Sequence, residues 1–102
     1  MSENLASMMV GKEVVEKTLT VGNRLGLHAR VATMMVQSMR NYSCQVTLTK
    51  DGVEVDARSV LGLLLLAASP GSAIVVRAQG PDCMEAIQEI GRIIQDEDPE
   101  ES

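Results

Sequence analysis

Aromatic residues are nearly absent from this sequence of 102 residues, which contains one tyrosine, Tyr42, and neither phenylalanine nor tryptophan. Sites that recognise nucleic acids by base stacking, and many ligand pockets, depend on aromatic side chains. Both kinds of site are therefore disfavoured here. The hydrophobic residues, which make up 45% of the chain and include seven methionines, must instead form an aliphatic core. A single domain of this length can bury such a core.

Positive charge is also scarce, because nine lysines and arginines stand against 14 acidic residues and give a net charge of −5. Five of the acids lie in residues 96–102, which we expect to be a disordered acidic tail. Residues 1–12 are expected to form a flexible leader, and residues 13–95 to form the folded domain. Since no basic stripe is present to follow a phosphate backbone, we expect no nucleic-acid partner.

Long apolar runs are missing as well. The longest, residues 61–68, contains Gly62 and is far shorter than the roughly 18 residues that a membrane span needs. No signal peptide is evident at the N-terminus. We therefore expect a cytoplasmic protein without membrane insertion, in which Cys44 and Cys83 remain reduced. One histidine and two distant cysteines provide no ligand cluster, so neither a metal nor another cofactor is expected.

The hydropathy pattern predicts seven elements in the order β-α-β-β-α-β-α, because alternating segments indicate strands and helical spacing indicates helices. Asp51-Gly52 lies between two alternating segments and predicts a type I′ hairpin. Ser59 is placed to cap a short apolar helix. Asp82 and Glu85 resemble a capping box at the start of the last helix. This order predicts an α+β fold of two layers, with helices on one face of a sheet.

The single histidine, His28, directly precedes the predicted first helix, which begins near Ala29. The first amides of a helix have no partner within it and the helix dipole is positive there, so such an end binds anions. Neutral imidazole is a nucleophile, and the guanidinium of Arg30 matches phosphate oxygens. These residues form a candidate site for accepting and holding a phosphoryl group. Capping or a plain surface position is the commoner role for a lone histidine near a helix start.

A small hydrolase that uses His28 and a thiol is an alternative of a different class. It requires Cys44 or Cys83 within hydrogen-bond reach of the imidazole. Both cysteines lie in apolar stretches, which favours structural burial over reactivity. Ser59 has no visible acid or base partner and is better explained as a helix cap than as a nucleophile.

Two segments resemble the signature regions of HPr, the histidine-containing phosphocarrier family of the phosphoenolpyruvate-dependent sugar phosphotransferase system. They are Gly26-Leu27-His28-Ala29-Arg30 and Arg58-Ser59-Val60-Leu61-Gly62, and the resemblance extends from about Glu13 to Ile94. It implies an open-faced β-sandwich whose four-stranded antiparallel sheet has the order 1-4-2-3, with three helices on one face. It also implies that His28 accepts a phosphoryl group from enzyme I through Nδ1 and passes it to an enzyme IIA component. Arg30, together with Ala29 at the helix start, would bind the phosphate.

The resemblance thus implies a carrier with a transient phosphohistidine rather than an enzyme that converts a small substrate. Ser59 matches the position at which some members are modified by a serine kinase and phosphorylase. A regulatory protein controlled by phosphorylation of Ser59, acting on transcriptional regulators, is therefore the alternative function. We expect a monomer whose partners dock beside His28. The residues expected at this docking surface are Thr33, Arg40, Val60, Leu61 and Leu64.

One position departs from the family pattern, in which proline usually follows the His-Ala-Arg triplet. Val31 occupies that position here. Proline suits the first helical turn because its φ is already fixed and its missing donor is not needed there. Valine restores the donor and leaves φ free. We therefore expect a less rigid site with an unchanged nucleophile.

Overall fold

A computed structural model describes residues 14–95, which form the predicted seven elements in the predicted order. In chain order they are β1 (Val14–Thr20), α1 (Ala29–Met39), β2 (Gln45–Lys50), β3 (Val53–Asp56), α2 (Val60–Leu65), β4 (Ala73–Gln79) and α3 (Cys83–Gln95). The leader and the acidic tail that the sequence predicts lie outside the described residues.

The four strands form one antiparallel sheet in the order β1-β4-β2-β3, which confirms the order implied by the family resemblance. The central strand β4 pairs with β1 from Ala73 to Gln79 and with β2 from Val75 to Gln79. Helix α3 packs against β1, β4 and β2, and α1 and α2 extend the same layer. One face of the sheet is therefore covered by helices, and the other is open, as the α+β two-layer prediction requires.

The hairpin between β2 and β3 turns at Asp51 and Gly52, as predicted. Their φ angles are 52° and 81°, and both are therefore in the left-handed region. A type I′ turn requires positive φ at both central residues, and aspartate and glycine are among the residues that adopt it most readily. This turn sets the register in which Lys50 lies opposite Val53.

The core between the sheet and the helices is aliphatic, as the composition predicts. Its inward-facing strand residues alternate with exposed ones along β2 and β4, and its largest helical side chains are methionine, leucine and isoleucine. The largest of its buried side chains are Met35, Met39, Leu48, Leu63, Ile74, Ile87, Ile90 and Ile94. Tyr42 is only partly buried and packs at the edge of this cluster. No aromatic side chain of the described domain is fully buried.

The two shorter helices begin where the sequence predicts. His28 is the N-cap of α1 and Ser59 is the N-cap of α2, where its Oγ accepts the amide of Gly62 at 2.9 Å. The longest helix, α3, has 13 residues. Within residues 14–95, no helix has both the length and the apolar character that crossing a membrane requires.

The predicted capping box at α3 is wrong, because the Asp82 carboxylate binds a different part of the chain. Its two oxygens accept the amides of Ser43 and Cys44 at 2.8 and 2.9 Å, and Glu85 takes no part. The Asp82 backbone carbonyl still accepts the amide of Ala86 and so begins the helix. Asp82 therefore connects the start of α3 to the start of β2. The hydrogen bond donated by the backbone amide of Ser43 is the main reason why the pKa of Asp82 is lowered.

We expect Asp82→Asn to lower the free energy of unfolding at neutral pH and to change how this free energy depends on pH. Because folding lowers the pKa of Asp82, the charged carboxylate stabilises the fold at pH values above the pKa of the unfolded state. This stabilisation is lost as the pH falls through the lower pKa of the folded state. The difference in urea midpoint between wild type and variant should therefore narrow below about pH 4. Glu85→Gln, an exposed change on the same helix, serves as control. A difference that stays constant down to pH 2 would contradict this role.

Candidate functional site

The loop between β1 and α1 is held against the segment that follows α2. Leu27 is buried and donates its amide to the carbonyl of Ala68 at 2.8 Å. Gly26 has φ +76°, and a Cβ at this position would lie only 2.4 Å from the same carbonyl oxygen. Only glycine combines this backbone conformation with so close an approach. The requirement explains why glycine stands two residues before His28.

The same loop is held a second time by the C-terminal end of α3. Gly22 donates its amide to the carbonyl of Ile94 at 2.7 Å, and the side-chain amide of Asn23 donates to the carbonyl of Ile93 at 3.1 Å. Asn23 is fully buried, and it was not predicted from the sequence. A polar residue in a glycine-containing loop is usually exposed, so no local signal distinguished it. Its role depends on a partner 70 residues away.

His28 lies where this loop meets α1, and it is the N-cap of that helix. Its backbone is extended, with φ −102°, and its carbonyl accepts the amide of Ala32 at 2.9 Å. The imidazole is partly exposed, and its Nδ1 accepts the backbone amide of Arg30 at 3.3 Å. A ring nitrogen that accepts a hydrogen bond carries a lone pair, so this contact assigns the proton to Nε2. Nδ1 is thus the ring nitrogen that carries the lone pair.

The surroundings of His28 favour anions. No aspartate or glutamate occurs between Lys17 and Asp51, and the first turn of α1 contains no acidic residue. Ala29 and Arg30 are exposed on this turn, next to the imidazole. The first amides of the helix and the Arg30 guanidinium can therefore surround a phosphoryl group on Nδ1, and the first turn itself contributes no carboxylate.

Val31, which replaces the usual family proline, is a core residue with only 1% of its surface exposed. It belongs to the buried face of α1 together with Ala32, Met35 and Met39. Its side chain therefore holds the first turn of the helix against the core by packing, where proline would hold it by its fixed φ. This packing offsets part of the rigidity that the site is expected to lose without the proline.

The predicted docking residues lie on α1 and α2 and differ in how exposed they are. Thr33 and Arg40 are exposed and seven residues apart, so they lie on one side of α1 about 10 Å from each other. On α2, Leu61 is 70% exposed and Leu64 is 36% exposed, whereas Val60 is partly buried against the core. Leu65, which was not among the predicted docking residues, is 68% exposed. We call Leu61, Leu64 and Leu65 the leucine patch.

Neither cysteine is placed to act with His28. Cys44 and Cys83 are buried and form no disulfide. Both lie beyond the C-terminal end of α1, where Asp82, which precedes Cys83 in the sequence, accepts the amide of Cys44. His28 is at the other end of this helix, whose 11 residues span about 16 Å. Burial, with the adjacent carboxylate of Asp82, raises the pKa of the Cys44 thiol to about 11, so it is protonated at neutral pH. The geometry therefore argues against the hydrolase.

The chain is similar to known proteins in both sequence and structure. A family model described as "PTS HPr component phosphorylation site" matches residues 15–96. The chain is 43% identical over 82 residues to the phosphocarrier protein HPr of Xylella fastidiosa strain Temecula1, covering 80% of this chain and 92% of the relative. It is 37% identical over 84 residues to the HPr-like protein Crh of Bacillus subtilis, covering 82% and 99%. The crystal structure of the phosphocarrier protein HPr from Bacillus anthracis matches with a TM-score of 0.77 at 33% identity, covering 80% of this chain and 98% of that one. The span matched by the family model contains both His28 and Ser59.

Proposed function

The chain belongs to the HPr family of the phosphoenolpyruvate-dependent phosphotransferase system and is a phosphocarrier protein, and from this starting point we propose that His28 carries the phosphoryl group. The observation that supports this assignment most directly is the position of Nδ1. This atom has its lone pair at the N-terminal end of α1, 3.3 Å from the amide of Arg30. The one histidine of the chain is therefore also the side chain best placed for the chemistry.

In the proposed step, the Nδ1 lone pair attacks the phosphorus of a phosphorylated donor. The bond from Nδ1 to phosphorus forms while the bond from phosphorus to the donor breaks, and the donor keeps that electron pair. The proton remains on Nε2 until the positive ring of the phosphohistidine releases or shares it. The Arg30 amide, which donates to Nδ1 before the reaction, then becomes available to a phosphate oxygen together with the guanidinium.

The proposed donor is phosphorylated enzyme I and the proposed acceptor is an enzyme IIA component. Both must approach a partly exposed imidazole, and the leucine patch offers an apolar surface on the neighbouring helix α2. Helices α1 and α2 pack on one another, so a partner seated on the patch can also reach Thr33 and Arg40. Small interfaces with an apolar centre and charged edges bind weakly and exchange quickly, as a carrier requires. We place this exchange in the cytoplasm, with the chain acting as a monomer.

The direct test is incubation of the chain with enzyme I and phosphoenolpyruvate, followed by intact-mass measurement. We expect an adduct of about 80 Da that is lost in acid and stable in base, as a phosphohistidine is. Fragmentation should locate it on His28. Absence of the adduct under conditions that label a known carrier would falsify the proposal.

Arg30→Ala is expected to slow phosphoryl acceptance about 10-fold to 100-fold while the adduct still forms. The guanidinium contributes charge-assisted hydrogen bonds, each with a net value of about 1.5–3 kcal/mol, whereas the backbone amide at this position is retained by alanine. The rate of adduct formation with limiting enzyme I measures the effect.

Arg77→Ala provides the matched control for this prediction. Arg77 is exposed in the centre of the open sheet face, so its loss removes the same charge far from the helix layer. Its variant should be labelled at the wild-type rate. Equal rates for Arg30→Ala and wild type would mean that the Arg30 guanidinium does not contact the phosphoryl group.

A regulatory role through Ser59 is the second candidate. Ser59 is partly exposed and caps α2 directly beside the leucine patch, so a phosphate there would place negative charge at the edge of the proposed docking surface. A serine phosphate resists acid, so an acid-stable adduct that is absent from Ser59→Ala would support this role. An acid-labile adduct alone would favour the carrier.

A further inference from the structure

The exposed apolar side chains of the domain are not spread evenly over its surface. Seven large hydrophobic residues are exposed in the part of the chain that the structure describes, and three of them form the leucine patch on α2. A fourth, Leu25, lies in the loop before His28 and is 63% exposed. Single exposed leucines are common, whereas a contiguous group of them is typical of a protein interaction site. The position of Leu25 relative to the leucine patch therefore decides how it is interpreted.

Leu25 lies in a tight turn that rests on the chain segment following α2. The amide of Gly26 donates to the carbonyl of Asn23 at 3.1 Å, which closes the turn and leaves Leu25 at its tip. A Cβ on Gly26 would lie 2.4 Å from the carbonyl oxygen of Ala68 and 3.1 Å from the Cα of Ser69. The backbone of the turn is therefore in direct contact with this segment, and the place of Leu25 is set by that contact.

The contact between the turn and this segment brings two exposed apolar groups to the same side of His28. The leucine patch ends at Leu65, three residues before Ala68, and Leu25 lies three residues before His28. Three residues of chain span at most about 11 Å. A partner surface of standard size, about 800 Å², is wide enough to cover Leu25 and the leucine patch together with the imidazole.

The charges around Leu25 indicate what kind of partner this surface fits. Arg24 directly precedes Leu25 and Arg30 follows His28, and both arginines are exposed. A complementary partner therefore presents an apolar centre that is bordered by carboxylates. In such an interface the buried apolar centre contributes most of the affinity, while the charges at its edge guide the approach of the partner.

We propose that Leu25 and the leucine patch form one docking surface for the phosphoryl donor, on which Leu25 is the apolar contact next to the imidazole. The donor is enzyme I, so this inference rests on the function proposed above. Leu25 contacts the partner and not the reacting atoms. It therefore contributes to the affinity for the donor, because its exposed side chain is removed from water on binding, and it leaves the chemical step unchanged.

The test measures binding and phosphoryl acceptance separately, with three variants of the full chain. Leu25→Gln replaces the apolar side chain by a polar one of similar size, and Leu25→Met retains its apolar character. Met84→Gln is the matched control, because Met84 is 45% exposed at the start of α3, beyond the opposite end of α1 from His28. Calorimetric titration with enzyme I without phosphoenolpyruvate gives Kd. Initial rates of adduct formation with phosphoenolpyruvate give KM and kcat.

We expect Leu25→Gln to raise the Kd for enzyme I, and the KM of the chain as its substrate, about 5-fold to 30-fold with kcat unchanged. Leu25→Met and Met84→Gln should match wild type in all three quantities. Salt does not screen the burial of apolar surface. The ratio of Kd values between Leu25→Gln and wild type should therefore persist at 0.5 M salt, where the screening length is about 4 Å and the contacts of the arginines are weakened.

Three results would overturn the proposal. Leu25→Gln could bind enzyme I as tightly as wild type. It could instead lower kcat with an unchanged Kd, which would mean that Leu25 supports His28 and does not contact the partner. Leu25→Gln and Met84→Gln could also weaken binding equally, which would remove the connection with this surface. By contrast, a wild-type chain that binds enzyme I but acquires no acid-labile adduct would contradict the carrier function alone, so the two failures are distinguishable.

Discussion

Replacing His28 with alanine is expected to abolish formation of the acid-labile adduct while the fold is retained. No other described side chain offers an imidazole nitrogen, and the two thiols are buried at the far end of α1. The variant also loses the bond between Nδ1 and the Arg30 amide, and loss of an N-cap acceptor costs about 1 kcal/mol. Intact-mass measurement after incubation with enzyme I and phosphoenolpyruvate gives the labelling, and thermal unfolding gives the stability.

His28→Asn separates the chemical role of His28 from its role as a cap. Asparagine is among the best N-cap residues, because its side-chain oxygen accepts the amides of the first turn, yet it has no nucleophilic nitrogen. This variant should unfold at the wild-type temperature and still acquire no adduct. If either variant were labelled at the wild-type rate, another residue would be the acceptor of the phosphoryl group.

Gly26→Ala is expected to have the largest effect on stability, a loss of about 2–4 kcal/mol. Alanine at φ +76° is strained, and its Cβ would lie 2.4 Å from the Ala68 carbonyl oxygen that also accepts the Leu27 amide. The backbone must move, and the loop before His28 moves with it. We expect the unfolding temperature to fall by about 10–20 °C, and phosphoryl acceptance by the folded fraction to slow.

Gly71→Ala is the matched control. Gly71 has φ +88°, which is close to that of Gly26, but nothing lies within 4 Å of a Cβ built there. Alanine at this position therefore introduces backbone strain without a steric clash, and we expect a loss of stability of about 1–2 kcal/mol. The difference between the two variants measures the close approach to Ala68. If both lose the same stability, the contact between this loop and Ala68 is not what requires glycine.

The features predicted correctly from the residues are those that depend on near neighbours in the sequence. The Asp51-Gly52 turn needs only two residues with positive φ, and Ser59 reaches an amide three residues away. The position of His28 at the start of α1 likewise follows from the change of hydropathy period after it. The chemistry proposed for the site also depends on adjacent residues, since Arg30 is two positions from His28. These interactions are encoded locally.

The features that were missed depend on partners distant in the chain. Asp82 satisfies the local pattern of a capping box, but its carboxylate binds amides 38 and 39 residues earlier. Asn23 was not recognised because its partner, the carbonyl of Ile93, is contributed by the last helix. The sheet order came from the family resemblance, since hydropathy alternation identifies strands and not their neighbours. The exposure of Leu65 depends on how α2 lies on the core.

The loop before His28 is held by Ala68 and by the last turn of α3, and this arrangement has a consequence for biosynthesis. Domains emerge from the ribosome N-terminal end first, so residues 22–28 are translated long before the carbonyls of Ile93 and Ile94 exist. The loop before His28 therefore acquires these two contacts only after α3 has been translated. A chain that terminates before α3 contains every residue of the proposed chemistry but lacks the two carbonyls that hold the loop before His28.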